Sequence, residues 1–395
     1  MHNDADVIVA GAGPAGTMAA FELARGGADV LILEKSGFPR YKVCGGGLTR
    51  KIVDEIPFDI TPVIEREIFS VQFSYRYTNQ FTRTSPEVLI FCTMREDLDL
   101  FLLNQAIASG ARILFNEHIT DLHQEKEGVR IHTRNGSFKS RVVIGVDGAS
   151  SVVANRCGLR KYLMPGMAWE AEMDAKAEDL QQFGNTVFLD WGTFPGGYGW
   201  IFPKRDHFSV GVGGPASLSR HLKQYNQHFI ESSGIRFTGI RSMKSWPIPV
   251  KSRKGDFHSG LVLVAGDAAG LTDPLTGEGI SYAIRSGSLA GHAVLSFLQG
   301  SSNSLANYSE AINQGMMPEI LEARHVKAIF NAVPGTIHKA VQKKDRVWRA
   351  FGKILKGERT YLDIKRGFGK WKFLWGAACW LSGLIYQYRV RGFRG

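Results

Sequence analysis

Asp6-Val7-Ile8-Val9-Ala10-Gly11-Ala12-Gly13-Pro14-Ala15-Gly16 is the stretch on which the reading of this 395-residue chain turns. An apolar run rich in Val and Ile leads into a glycine-rich turn. An Ala/Leu-rich stretch follows to Arg25, and a second apolar run, Val30-Leu31-Ile32-Leu33, ends at Glu34. Strand, glycine turn, helix, strand and acid in this order, at this spacing, predict a dinucleotide-binding βαβ unit. Gly11 permits the tight turn, Gly13 lets a pyrophosphate approach the backbone, and Gly16 lets the helix lie close to the sheet. Pro14 lacks an N–H at a position where helical N–H groups have no intrahelical partner. The remaining free N–H groups and the helix dipole favour phosphate. Glu34 can accept hydrogen bonds from ribose hydroxyls. This unit alone does not separate FAD from NAD.

The pattern resumes more than 200 residues later. Leu261–Ala269 reads as a buried strand delivering Asp267 at its C-terminal end, the edge where open α/β sheets bind ligands. Pro274-Leu275-Thr276-Gly277-Glu278-Gly279 leads into a helix expected from Ile280 to about Leu298. From about Pro165 to Val250 strand-like segments dominate and aromatic residues concentrate, among them Trp169, Trp191, Tyr198, Trp200, Phe202 and Trp246. One antiparallel sheet, with core on one face and an apolar pocket on the other, accounts for both patterns. The expected fold is therefore α/β (α+β overall): a Rossmann-like domain over 1–70, 92–164 and 255–330, with an inserted antiparallel substrate sheet over 71–91 and 165–254. A basic helical segment, 331–395, follows.

Length and 44% hydrophobic content fit a large folded core. The four cysteines, Cys44, Cys92, Cys157 and Cys379, lie far apart without metal-type spacing, so a reducing compartment and no structural metal are expected. No basic-then-apolar leader precedes Asp6, and a cytoplasmic location is expected. The net charge of +11 is carried by residues 340–395, which hold 14 Lys/Arg against 3 Asp/Glu. Val341, Trp348, Phe351 and Leu355 recur at helical spacing among lysines and arginines. Phe373–Tyr388 is mostly apolar, with Trp371, Trp375, Trp380, Tyr386 and Tyr388, and is flanked by Lys370, Lys372, Arg389, Arg391 and Arg394. It is shorter than the roughly 20 residues that span a bilayer. Two readings stay open: a helix lying in anionic headgroups at the inner face of a membrane, or a helix docked on protein. No nucleic-acid-binding motif is present.

Cys44-Gly45-Gly46-Gly47 reads as backbone that closely approaches a ligand, or as a flexible loop. Arg95 opens a helix, where a cation has no dipole reason to be; it either contacts a ligand or is solvated. Gly11–Gly16 with Glu34, Arg95, and Gly266-Asp267 with Pro274–Gly279 together resemble the FAD-dependent oxidoreductases of the p-hydroxybenzoate hydroxylase type. Pro39-Arg40-Tyr41-Lys42-Val43-Cys44-Gly45-Gly46-Gly47 and Tyr198-Gly199-Trp200-Ile201-Phe202-Pro203-Lys204 resemble the geranylgeranyl reductase family. The resemblance covers roughly residues 5–330.

That resemblance implies FAD as cofactor. Gly11, Gly13, Ala15, Gly16 and Glu34 would hold pyrophosphate and adenosine ribose, and Arg95 and Asp267 the phosphate–ribityl stretch. Cys44, Gly45, Gly47, Gly279 and Ile280 would meet the flavin ring, and Ile119 is grouped with these cofactor positions. Tyr198, Trp200 and Pro203 would line the substrate cavity, with Cys44, Tyr198 and Trp200 as the catalytic set. The implied reaction saturates C=C bonds of a polyprenyl chain on a lipid, quinone or diphosphate, fed by NAD(P)H or a ferredoxin-like donor. A flavin monooxygenase or halogenase of the same fold and a non-catalytic FAD-binding, membrane-associated protein are the alternatives; no halogenase-type WxWxIP run occurs.

Overall fold

The computed structural model describes residues 3–367, 369 and 372–393. The chain folds into two units. The first comprises Met1–Tyr41, Glu96–Met164 and Ile248–Leu321; the second comprises Lys42–Arg95, Pro165–Pro247 and Glu322–Gly395.

The first unit is built on a mixed sheet. Strands His258–Ser259, Val262–Val264, Ser137–Gly145, Ala5–Ala10, Val30–Glu34 and Arg112–Phe115 lie side by side in that order. The last five run parallel. Apart from the exposed edge strand Arg112–Phe115, their Val/Ile/Leu runs follow from burial on both faces: Val7, Ile8, Val9, Ile32 and Ile144 are fully buried. A hairpin, Ile119–Glu125 with Gly128–Thr133, joins the edge of Ser137–Gly145. The helix Pro14–Arg25 follows the glycine turn and packs against Ile280–Leu298. Their approach is so close that a Cβ on Gly287 would stand 2.1 Å from the Ala15 carbonyl oxygen. Only a glycine fits there.

The second unit holds a seven-stranded sheet in the order Phe237–Lys251, Leu163–Ala175, Phe208–Pro215, Tyr198–Pro203, Thr186–Trp191, Ser70–Tyr75 and Thr78–Thr84. The antiparallel expectation fails at one place. Thr186–Trp191 and Ser70–Tyr75 pair in parallel, and the long stretch of chain between them supplies the crossover that a parallel pair needs. Each face of this sheet carries a core. Ala171, Phe188, Ile201, Val210 and Val212 pack with Leu222, Tyr225 and Phe229 of the helix Leu222–Ser232. Val71, Phe73, Val187 and Trp191 form the other, with Val341 and Trp348.

Those last two residues revise the reading of the C-terminal segment. The helix Met317–Ala332 ends just before Pro334, which opens Pro334–Lys343, where its missing N–H costs nothing, and Asp345–Leu355 follows. The apolar side of this basic stretch is packed: Val341 and Trp348 are buried, and the Phe351 ring lies 5.5 Å from that of Phe73. The helix Lys372–Gly392 buries Trp375 and Cys379, and Val390 and Phe393 pack against the Phe188–Phe229 core. Glu322 ties it down, accepting from Lys365 Nζ at 2.9 Å and Trp375 Nε1 at 2.5 Å. A second stripe of the helix remains exposed, with Trp380 at 69% and Tyr388 at 80% exposure, and Leu381, Leu384 and Ile385 beside them. Lys370, Trp371 and Arg394 lie outside the described residues, as do the side chains of Lys372 and Phe373. Among the described residues no helix is long and apolar enough to cross a membrane, and no cluster of side chains could hold a metal ion.

Candidate active site

In the first unit the glycine turn is shaped by contacts that leave no room for side chains at two of its three glycines. Gly11 has φ +117°, and a Cβ there would meet the Val146 carbonyl oxygen at 2.6 Å. A Cβ on Gly16 would stand 2.0 Å from the Gly11 carbonyl oxygen. Gly13 differs. It is extended, caps the helix Pro14–Arg25 without a side-chain cap bond, and has only Arg40 Nη2 at 4.0 Å from a Cβ position. Free N–H groups, an open backbone face and a guanidinium converge where a pyrophosphate would lie. Arg40 is held there by Asp99, 3.1 Å away, and stands 3.8 Å from Glu34. Glu34 braces the turn from beneath: its carboxylate accepts from the Ala12 N–H at 2.8 Å and from the Ser36 N–H at 3.0 Å.

Distant parts of the sequence meet at the same end of the sheet. Gly266–Ala269 forms a short helix directly after Val262–Val264, so Asp267 stands at the strand's C-terminal edge. A Cβ on Gly266 would meet the Ala15 methyl at 3.1 Å, and one on Gly279 would stand 3.4 Å from Asp267 Oδ1. Ala15, Asp267 and Gly279 therefore belong to one site. The buried Thr272 hydroxyl, 3.6 Å from that Gly279 position, has no hydrogen-bond partner. An orphaned buried hydroxyl beside an open backbone cradle fits a polar cofactor that hydrogen-bonds there. The start of the helix Ile280–Leu298 is not bare, however. The Glu278 carboxylate accepts from the Ser281 N–H at 2.6 Å, and burial pushes its pKa up to about 7. Ile119 opens the strand Ile119–Glu125, with Gly128–Thr133 and Ser137–Gly145 between it and Ala5–Ala10. Asp147 is used locally: its carboxylate accepts from Ser151 and, at 2.7 Å, from the Val152 N–H at the start of the next helix.

In the second unit Cys44–Gly47 lies on the sheet rather than loose in solvent. Gly46 has φ +64°, and a Cβ there would stand 1.9 Å from the Thr93 carbonyl oxygen. Cβ atoms on Gly45 and Gly47 would crowd Trp200 and Phe202 at 2.9–3.0 Å. Gly45 and Gly47 are thus explained by the approach of backbone to the protein's own aromatic rings, and Gly46 by its approach to the Thr93 carbonyl. Lys204, with 0% exposure, fastens the loop: its ammonium donates to the Gly45 carbonyl at 2.8 Å and the Thr93 carbonyl at 2.7 Å. Cys44 is a half-buried free thiol whose Sγ accepts from the Gly46 N–H at 3.4 Å. Its own N–H donates to Glu170 Oε1 at 2.7 Å. Arg95 is buried at the first position of Arg95–Ala108.

Strand alternation sorts the expected substrate residues. Tyr198, Trp200 and Phe202 share the face that carries the cysteine loop; the Tyr198 and Trp200 rings are 5.5 Å apart. Pro203 pairs with Phe208, whose side chain belongs to the opposite core, so Phe202 holds the place on the loop side. Four residues of this geometry carry no role in the sequence reading: Arg40, Glu170, Lys204 and Glu278. Three of them, Arg40, Lys204 and Glu278, lie inside the motifs quoted above, which was the available signal.

A glycine turn on parallel strands, with Asp267 brought to the same sheet edge from a distant segment, fits an FAD-dependent oxidoreductase. The FAD dependent oxidoreductase family matches residues 6–161, and FAD is the cofactor of this enzyme. More specifically, the chain belongs to the geranylgeranyl reductase family. It is 30% identical over 317 residues to digeranylgeranylglycerophospholipid reductase 1 of Methanopyrus kandleri, covering 74% of this chain and 81% of that one. It is likewise 30% identical over 313 residues to the menaquinone reductase of Mycobacterium tuberculosis, covering 73% and 76%. A geranylgeranyl bacteriochlorophyll reductase-like protein of Thermoplasma acidophilum shares the fold, with a TM-score of 0.72 at 23% identity over 83% of this chain and 87% of that one.

Proposed function

We propose that this enzyme saturates C=C bonds of a polyprenyl chain carried by a lipid, a quinone or a diphosphate. The observation that carries the reading is the face of the second unit's sheet, where a half-buried free thiol, Cys44, directly precedes the clamped Gly45 that packs on Trp200, with the Tyr198 ring 5.5 Å from that of Trp200. The named activities of the two relatives support it. An isolated alkene is unpolarised, so one carbon needs a hydride and the other a proton. Reduced FAD supplies the hydride. Gly13, Ala15, Arg40, Asp267 and Gly279 bind and orient it, and Glu34 shapes their turn. On the family resemblance, Cys44, Gly45 and Gly47 would meet the flavin ring. The Cys44 thiol then stands as first proton donor and the Tyr198 hydroxyl as second. The aromatic wall excludes water and holds the chain by area burial, at about 25 cal/mol per Å².

Comparing lipids and quinones from cells with and without the protein tests this function; mass shifts of one H2 per reduced bond are the expected result. For the proton, Cys44→Ala and Cys44→Ser are expected to lower alkene reduction by about a hundredfold with FAD still bound. Near wild-type rates in both variants would transfer the role to Tyr198.

The exposed stripe of Lys372–Gly392 supports peripheral attachment to an anionic membrane surface, where a prenyl substrate resides. Because 341–355 is part of the core, deleting the whole segment would damage the fold. The stripe itself is the better target. Trp380→Ser with Leu384→Ser should weaken binding to phosphatidylglycerol liposomes by about a hundredfold, since each side chain is worth about 1.5–3 kcal/mol of burial. Unchanged liposome binding with normal FAD content would assign the stripe to a protein contact instead.

A further inference from the structure

The second unit contains a buried acid that no role described so far explains. Glu170 lies in Leu163–Ala175 with 0% exposure. It pairs with Gly211, which pairs in turn with Trp200, so the three occupy one row on one face of the sheet. Gly211 leaves room for the Trp200 indole to lie across it: a Cβ there would stand 2.2 Å from Trp200 Cζ2. One oxygen of Glu170 accepts from the Cys44 N–H. The other, Oε2, is buried with no partner, as is Trp200 Nε1.

Other buried acids of the same sheet contrast with it. Asp190 accepts from Ser74, from the Tyr77 N–H and from the Tyr225 hydroxyl. Glu172, two residues on, accepts from His207 and Ser209. A buried carboxylate oxygen without a donor is costly, whereas a buried carboxylic acid retains its proton.

We propose that Glu170 is the proton store behind Cys44, returning a proton to its thiolate after each alkene reduction. This rests on the reading of Cys44 as the donor. Cys44 loses its S–H proton to the alkene carbon, the O–H bond of Glu170 breaks as an intervening water carries a proton to the thiolate and the S–H bond re-forms, and bulk water then reprotonates the carboxylate. No electrons move in the relay. The groups facing Glu170 set its charge. Burial and the nearby Glu172 raise its pKa to about 8; the Cys44 amide, Lys204 and Lys42 act in the opposite direction. Because Glu170 acts through Cys44, it is a positioning and relay residue rather than a group touching the alkene.

The test compares wild-type holoenzyme with Glu170→Gln. Glutamine keeps an oxygen for the Cys44 N–H but holds no acidic proton. Expected are unchanged FAD content and unchanged Cys44 alkylation, with prenyl reduction lowered about a hundredfold at pH 7. The wild-type rate should fall as pH rises through about 8, whereas the residual variant rate should not. In the infrared, the wild type should show a protonated-carboxyl band at pH 7 that disappears on titration through the same range and is absent from Glu170→Gln. A variant reducing at the wild-type rate, or a wild-type carboxyl already ionised at pH 7, overturns the proposal. A wild type that saturates no prenyl chain sinks the functional reading instead. The infrared arm needs no substrate and separates the two failures.

Discussion

Gly16→Ala is expected to yield protein without bound FAD and with a lowered melting temperature. The new methyl would stand 2.0 Å from the Gly11 carbonyl oxygen, which is backbone and cannot swing aside. The helix Pro14–Arg25 would have to lift from the sheet, where most of one side is buried, including Met18, Ala19 and Leu23. Overpacking of this kind costs about 1–3 kcal/mol or more. Gly13→Ala is the matching control. Its backbone is in a conformation any residue adopts, and the nearest heavy atom to the added methyl is Arg40 Nη2 at 4.0 Å. It should melt with the wild type yet lose FAD, because the methyl occupies the approach of the pyrophosphate. Thermal unfolding of the apoproteins and flavin absorbance of the purified proteins check both. Equal FAD retention in Gly13→Ala and wild type would remove Gly13 from the cofactor site.

Lys204→Met is the second large effect. It removes the one ammonium shared by the Gly45 and Thr93 carbonyls while roughly keeping side-chain volume. Both acceptors would be left without their donor, at about 1–3 kcal/mol each. A loss of roughly 3 kcal/mol is therefore expected, with faster alkylation at Cys44 as the loop comes free. Chemical denaturation and peptide mapping of the alkylated protein measure the two effects. Alkylation at the wild-type rate would show that the glycine loop is held by its packing on Trp200 and Phe202 alone.

Local periodicity carried the cradle far. The strands Ala5–Ala10 and Val30–Glu34 and the helix Ile280–Leu298 stand where the apolar runs and the glycines put them. The joining of Asp267 to Ala15 was legible too, because a buried strand ending in an acid has few places to go in an open α/β sheet. What local pattern could not give was the partner of each polar group. Glu170 sits in a strand whose alternation says only that it is buried, and the amide it binds is 126 residues away. Arg40 and Asp99 meet across 59 positions of chain, and Lys204 reaches back to a loop it precedes in no local sense. Ion pairs and caps of this kind are chosen by the folded sheet, not by spacing. The basic stretch around Trp348 was open between membrane and protein because its amphipathic period is the same for either partner. The core around Phe73 and Trp191 supplies the partner here.

The most direct test of prenyl reduction is to incubate the dithionite-reduced holoenzyme, without oxygen, with digeranylgeranylglycerophospholipid in anionic vesicles, and to follow the lipid by mass spectrometry. The account predicts stepwise gains of one H2 per double bond as the flavin absorbance returns to its oxidised form. A lipid of unchanged mass beside a flavin that stays reduced until air is admitted, or a product that gains oxygen only then, would contradict it.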